Sequence, residues 1–252
     1  MSIIRPFKGI RPRADLASAI AALPYDVYNS EEAREIVAAE PKSFLQIDRA
    51  ETLLPKGTNP YSEAVYKTAS ETLNRMIDEG SFLQDKEPCY YLYALTMNGR
   101  TQTGLVGCAS IDDYCNNVIL KHENTLEAKE QDRIRHIDAC SAQTGPIFLA
   151  YRADKKLGEI IKNVRLTPEV YDFTSDDGIR HEVWRIDKMS TIVDISKIFE
   201  AIPHLYIADG HHRAASAVKV GLKRRAEDLH FSGTEEYNYF LSVLFPADEL
   251  AI

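Results

Sequence analysis

Tyr206-Ile207-Ala208-Asp209-Gly210-His211-His212-Arg213-Ala214-Ala215-Ser216-Ala217 is the stretch whose reading decides the fold. The apolar run at 205–208 reads as a strand. Asp209-Gly210 breaks it, and the alanine-rich residues 214–220 form a helix that ends near Gly221. A strand, a tight glycine turn and a helix N-terminus make an anion site, because free N–H groups and the positive end of the helix dipole point the same way. In that reading Gly210 lets the backbone approach a phosphate. Arg213 grips it bidentately, and His211 or His212 donates a hydrogen bond or acts as an acid. Asp209 orients a histidine or holds a metal ion through its carboxylate. The same residues also satisfy a plain Asx-type turn with surface histidines.

A second cluster follows the apolar residues Val118-Ile119-Leu120: Lys121-His122-Glu123-Asn124-Thr125. Asn124 or Thr125 is expected to cap a helix running to about residue 142. Glu123 just outside that helix is either a dipole-stabilised carboxylate or, if it faces the 209–213 turn, a general base for a hydroxyl. Lys129 and Arg133 lie four apart and share a helix face. Arg133 then either reaches the same pocket or belongs to a solvated face. A third group is the Pro- and Gly-constrained segment at 5–12 together with 23–27, which presents Arg11, Tyr25 and Asp26 to a ligand or forms a rigid loop. His122 and Thr125 join Arg133, Arg11, Tyr25 and Asp26 as candidate substrate contacts. His181 and Trp184 read as structural, and Tyr90, Tyr91 and Tyr93 as strand packing. No GxxxxGK[ST] or GxGxxG run is present, and no His/Cys/Asp spacing resembles a zinc motif.

Around these clusters, residues 3–7 suit an edge strand because Pro6 cannot donate to a ladder. Asn29 or Ser30 caps a helix that stops before Pro41. Residues 43–48 read as a short strand and 49–59 as a loop. Pro60 opens a long helix closed by Gly80. Asn98-Gly99 joins two strands as a two-residue hairpin. Further strands at 146–151 and 237–245, helices at 153–164 and 191–201, and a hairpin at 169–186 complete a mixed-sheet α+β protein with flanking helices.

The 252 residues carry 30 basic and 38 acidic side chains, a net charge of −8. That balance argues against broad nucleic-acid binding, which needs a basic face, but not against a small anion held by a few local cations. No run approaches the ~18 apolar residues of a membrane span, and no signal-peptide core opens the chain. A cytoplasmic location is expected, with the four cysteines as reduced thiols.

Arg5-Pro6-Phe7, Pro24-Tyr25-Asp26-Val27, His122-Glu123-Asn124-Thr125, Lys129-Glu130-Gln131-Asp132-Arg133, Pro146-Ile147-Phe148 and Ala208-Asp209-Gly210-His211-His212-Arg213 together resemble the DUF1015 family over nearly the whole chain. Members of that family are usually longer, so a C-terminal part is expected to be missing. The His-Glu-x-Thr and Asp-Gly-His-x-Arg pair also looks like the free serine kinases of the ParB/sulfiredoxin superfamily. That likeness implies a ParB/sulfiredoxin-like nucleotide-binding core at about 116–252, with an insert at 126–208, following an N-terminal part at 1–115 in one α+β region. It implies phosphate binding at Gly210, His211, His212 and Arg213, base work by Glu123, and Asp209 beside the transferring phosphoryl group or Mg²⁺. The expected function is a phosphotransferase acting on serine or O-phosphoserine with ATP or ADP and Mg²⁺, with a homodimer compatible. The other expectations are a nucleotide-binding regulatory or DNA-associated ParB-like module, and a phosphatase or nuclease using the same turn.

Overall fold

The computed structural model describes residues 1–250. In chain order it contains β1 (Ile4–Arg5), β2 (Ile10–Pro12), α1 (Ala17–Ile20), α2 (Ser30–Ala39), α3 (Leu45–Asp48), α4 (Glu63–Asp78), β3 (Phe82–Gln84), β4 (Tyr90–Met97) and β5 (Arg100–Ser110). There follow α5 (Ile111–Cys115), β6 (Ile119–Leu120), α6 (Glu127–Cys140), β7 (Ile147–Tyr151), α7 (Lys155–Val164), β8 (Tyr171–Thr174), β9 (Arg180–Ile186), α8 (Met189–Ala201), β10 (Leu205–Asp209), α9 (His211–Glu227) and β11 (Tyr239–Pro246). The fold is mixed α+β.

Nine strands form one sheet in the order β6-β10-β7-β11-β5-β4-β9-β8, with β1 beside β5. The β10–β6 and β11–β7 pairs are parallel and the rest antiparallel. Local chemistry sets much of this. Asn98 and Gly99 adopt φ of 52° and 78°, the left-handed pair a tight hairpin needs, and they fold β4 back onto β5. The Asn29 side chain accepts from Glu31 and Glu32 N–H while Glu32 reaches back to Asn29 N–H, a full capping box for α2. Asp154 caps α7 by accepting from Leu157 N–H at 2.9 Å.

Two cores result. The larger spans the sheet and the inner faces of α8 and α9, with Leu92, Leu105, Leu149, Phe199 and Phe240 fully enclosed. The smaller gathers Ile47, Val65, Ala69, Met76 and Phe82 and closes on Cys140 of α6. Helix α6 packs on α4 on one side and α9 on the other, so it is the wall between the cores. Close packing fixes its neighbour too. A Cβ built on Gly221 of α9 would stand 2.3 Å from Tyr237 O and 2.8 Å from Ile111 Cδ1. Because a backbone carbonyl cannot swing aside, Gly221→Ala is expected to destabilise the protein by about 2 kcal/mol or more. A lowered urea midpoint at unchanged m would report it; an unchanged midpoint would show that α9 shifts freely.

Several elements depart from the sequence reading. The strand expected over 43–48 is absent: residues 45–48 form helix α3, Leu45, Gln46 and Ile47 are all buried, and a short apolar run does not distinguish a buried strand from a buried helix. Helix α4 begins at Glu63 with Ser62 as its first flanking residue, later than Pro60. Helix α9 passes Gly221 and ends at Glu227; the glycine serves close packing there, not termination. Leu126, not Asn124 or Thr125, flanks the start of α6, and it has no side-chain cap. The β2–β3 pair was too short to show any periodicity.

Candidate functional site

The turn between β10 and α9 is built around Gly210, at φ 90° and ψ 31°. A side chain there would be strained by that φ, and its Cβ would lie 3.2 Å from Arg213 Nε. The first helical bond of α9, Ala214 N–H to Gly210 O, is 2.9 Å, and the N–H groups of His211, His212 and Arg213 before it have no acceptor among the described residues. Arg213 folds back over the glycine. Its Nη2 pairs with Asp209 Oδ2 at 2.5 Å and its Nη1 donates to Pro146 O at 2.5 Å. Asp209 therefore orients an arginine, not the histidine expected from the sequence.

His211 lies on the other side of the turn. It is buried, with its Nδ1 3.3 Å from Glu123 Oε2 and its ring edge-on to His122 at 4.5 Å between centroids. Its Nε2 is enclosed without a hydrogen-bond partner. Burial lowers the His211 pKa, the nearby His122 adds to this, and Glu123 and Asp209 oppose it. The net direction is down, so the imidazole is neutral at neutral pH. The Glu123 side chain is 58% exposed. The His212 Nε2 accepts Leu126 N–H at 3.0 Å, which ties the two motif segments together and leaves only its Nδ1 for a ligand. Thr125 is likewise engaged: its hydroxyl donates to the buried Glu130, which also pairs with Lys219. That cluster joins α6 to α9 and takes Thr125 out of the candidate substrate contacts.

A cleft of roughly 390 Å³ lies against Asp209 and Arg213 of the turn. Its floor is the sheet, where Tyr93, Leu95, Phe148 and His181 face it, and its roof is Leu23 and Pro24. Its polar end holds Asp48, Arg133, His136, Asp209 and Arg213. An apolar concavity with a few convergent polar groups has the anatomy of a small-molecule site. Glu123, His122 and His211 do not line it. Tyr25 lines the cleft, and its ring carries the Arg133 guanidinium at 4.0 Å. Burial raises the Tyr25 pKa, while Arg133 and Arg213 both pull it back; the hydroxyl thus lies in the field of both cations.

Arg133 is buried and bound to its neighbour Asp132 through Nη2 at 2.7 Å and Nε at 2.9 Å. It is not part of a solvated face. Asp48 Oδ1 accepts from the Thr144 hydroxyl at 2.6 Å, with His136 Nε2 at 3.8 Å. His136 Nε2 also lies 3.1 Å from Ile47 O. Burial is the main cause that lowers the His136 pKa, so it too is neutral. Asp48 and His136 were missed in the sequence because 43–48 read as a strand. The one available signal was His136 three residues beyond Arg133 on the same helical face.

Arg11 does not join the site. Its guanidinium donates to Asp85 at 2.8 and 3.0 Å and to the Tyr171 hydroxyl at 3.1 Å, a clamp between the β2–β3 ribbon and the main sheet. Asp26 is exposed and reaches the cleft only through its field on Tyr25. His181 hydrogen-bonds Tyr93 at 2.7 Å and Ser175 at 2.9 Å, as a packing residue would, though its ring is part of the cleft floor.

Among the described residues, no group of three or more His, Cys, Asp or Glu side chains is placed to hold a metal ion by itself. Magnesium asks for less: one or two carboxylates with substrate phosphates and water suffice, and the largely exposed carboxylate of Asp209 fits that donor set. All four cysteines are free thiols. No helix of the described residues is long and apolar enough to cross a membrane.

Residues 4–252 match the family described as "Protein of unknown function (DUF1015)", and the chain belongs to it. Comparison with curated proteins and with solved structures found no match.

Proposed function

We propose that this DUF1015 chain is a phosphotransferase acting on a small hydroxy amino acid, serine or O-phosphoserine, with a nucleotide and Mg²⁺. The observation that carries the proposal is the left-handed Gly210 turn, which opens a 17-residue helix with three free N–H groups and Arg213 laid across it. Nucleotide phosphate sits on those N–H groups, as helix N-termini bind anions generally. Arg213 is already held in place and supplies its charge without reorganisation. The unpartnered His211 Nε2 is the second support, since an enclosed polar nitrogen without a protein partner calls for one from elsewhere. The resemblance of the two motifs to ParB/sulfiredoxin-type serine kinases extends to the same residues.

In this reading Glu123 takes the proton of the serine hydroxyl as its oxygen bonds to the terminal phosphorus of the nucleotide, while the P–O bond to the rest of the nucleotide breaks and its electron pair leaves on the departing nucleotide phosphate. His211, 3.3 Å away, keeps the carboxylate oriented. Asp209 would hold Mg²⁺ through its carboxylate, and the ion would supply charge neutralisation at the phosphates. The balance of 38 acidic to 30 basic residues weighs against the DNA-associated reading.

Arg213→Ala removes the cation and strands Asp209. It is expected to abolish thermal stabilisation by ADP or ATP, a loss of about tenfold or more in affinity. Thermal shift with and without nucleotide reads this directly. Binding of duplex DNA by the unmodified protein, with no response to serine or phosphoserine, would sink the kinase reading.

A further inference from the structure

The cleft against the turn has a charged end and an apolar body. Asp209 and Arg213 belong to the turn and to the cleft lining alike, and the Tyr25 hydroxyl beside them makes no hydrogen bond with a described residue. The body is walled by Leu23, Phe44, Leu95, Ile137 and Phe148. Its polar side chains are already engaged by the protein. Gln143 Nε2 donates to Tyr239 O at 3.1 Å, and its Oε1 accepts Leu241 N–H at 2.6 Å. The Thr144 hydroxyl donates to Asp48 at 2.6 Å. His181 has Tyr93 on one ring nitrogen and Ser175 on the other, at 2.7 and 2.9 Å. Leu23, in the roof, is 39% exposed, and an apolar occupant would cover it.

We infer that the cleft receives the nucleoside of the phosphate donor, and that the nucleobase is held by apolar contact and not by its hydrogen-bonding edge. The inference rests on the proposed function and deepens it by assigning the donor class: a nucleoside di- or triphosphate whose nucleobase is required but not distinguished. Continuity is the first support. Arg213 and Ala217, four apart, set one face of α9 along the cleft, so a molecule with its phosphates on the N–H groups of that helix runs on into it. Size and charge are the second. The cleft falls within the ~300–1,000 Å³ of small-molecule sites, whereas the cavity behind the Tyr25–Arg133 stack holds only about 110 Å³. A further cavity of about 510 Å³ is lined by Asp15, Glu40, Asp176 and Asp177 with no lysine or arginine, the wrong sign for an anion. Glu123 does not line the cleft, which leaves that space to the part of the nucleotide that does not react. A site that selects one nucleobase keeps polar groups for its edge and rejects analogues that leave them unpaired. In this body every polar side chain has a protein partner.

The test is titration calorimetry on the unmodified protein with ADP, GDP, CDP and pyrophosphate, then on Leu95→Asn and Leu23→Asn. GDP and CDP are expected to bind within about tenfold of ADP. Pyrophosphate, which keeps the phosphates and lacks the nucleoside, is expected to bind at least about tenfold more weakly. Each variant places an amide against the nucleobase and is expected to lose about fivefold or more in ADP affinity, with pyrophosphate affinity unchanged within about twofold. Leu23 is exposed enough that its variant decides even if Leu95→Asn does not fold. Pyrophosphate binding as tightly as ADP, or unchanged ADP affinity in Leu23→Asn, overturns the cleft assignment and leaves the phosphate turn standing. GDP or CDP falling outside the expected range overturns the apolar holding of the nucleobase. No binding of any nucleotide removes this inference and the nucleotide of the proposed function together. Binding of the expected pattern without phosphoryl transfer to serine keeps the cleft assignment and removes the kinase.

Discussion

Glu123→Gln is expected to lower phosphoryl transfer to serine roughly 10²–10⁴-fold while nucleotide affinity changes by no more than about twofold. The amide keeps the shape and the contact with His211 Nδ1 but cannot take a proton. The amide oxygen retains the contact with His211 Nδ1, so the helix end that takes the phosphate keeps its shape. Asp209→Asn makes the informative comparison. Asp209 is the other carboxylate at the turn and the partner of Arg213, so its amide should weaken nucleotide binding as well as rate. A rate loss confined to Asp209→Asn, with Glu123→Gln fully active, would move the base to the cleft side and remove Glu123 from the mechanism. Single-turnover measurements at saturating nucleotide separate the two effects.

Asp85→Ala is expected to destabilise the fold by about 3–5 kcal/mol, the cost of breaking a buried ion pair. Asp85 is 7% exposed. It accepts from Arg11 at 2.8 and 3.0 Å, from the Tyr91 hydroxyl at 2.6 Å and from Arg185 at 3.0 Å. Its removal leaves the half-buried Arg11, the more exposed Arg185 and the buried Tyr91 hydroxyl without this acceptor. Burial alone would raise the Asp85 pKa, but these donors reverse that and hold it down at about 2. The sign of the pH dependence follows. An unfolded aspartate titrates near ~3.9, so the unfolded chain binds the proton first as pH falls. The stabilisation is full above pH ~4 and is lost as pH drops toward ~2. Chemical denaturation of the wild type should show that decline, and Asp85→Ala should flatten it. An Asp85→Ala protein as stable as the wild type at pH 7 would show that the clamp carries no net stability.

The two clusters that the chemistry of the sequence isolates, 121–125 and 209–213, are adjacent in space: His211 meets Glu123 and Leu126 meets His212. They were legible because each is a local signal, a polar, titratable run at a strand-to-helix boundary. Arg133 and Tyr25 were legible as candidates but not as a pair, since their contact spans more than a hundred residues. Thr125 and Arg11 show the limit in the other direction. Both have the chemistry of ligand contacts, but structural partners, Glu130 and Asp85, satisfy them. Asp48 gave no signal at all. It looked like the end of a strand, and only its enclosure beside Thr144 and His136 makes its charge conspicuous.

The sequence alone determined what is short-range. Asn98-Gly99 requires a left-handed turn. Asn29 with Glu32 requires a helix start. Gly210 between an apolar run and an alanine-rich run requires a strand, a tight turn and a helix end with bare N–H groups. These follow from φ/ψ limits and hydrogen-bond valence within a few residues. The tertiary structure decided which charge meets which. It put Arg213 on Asp209 and Pro146, Arg11 on Asp85, and Arg133 on Asp132 with its guanidinium over the Tyr25 ring. It also made residues 45–48 a helix, so that Asp48 ends up facing α6. Those outcomes depend on how two cores close against α6, and no periodicity along the chain records that, because burial and ion pairing between distant segments are properties of the packed whole.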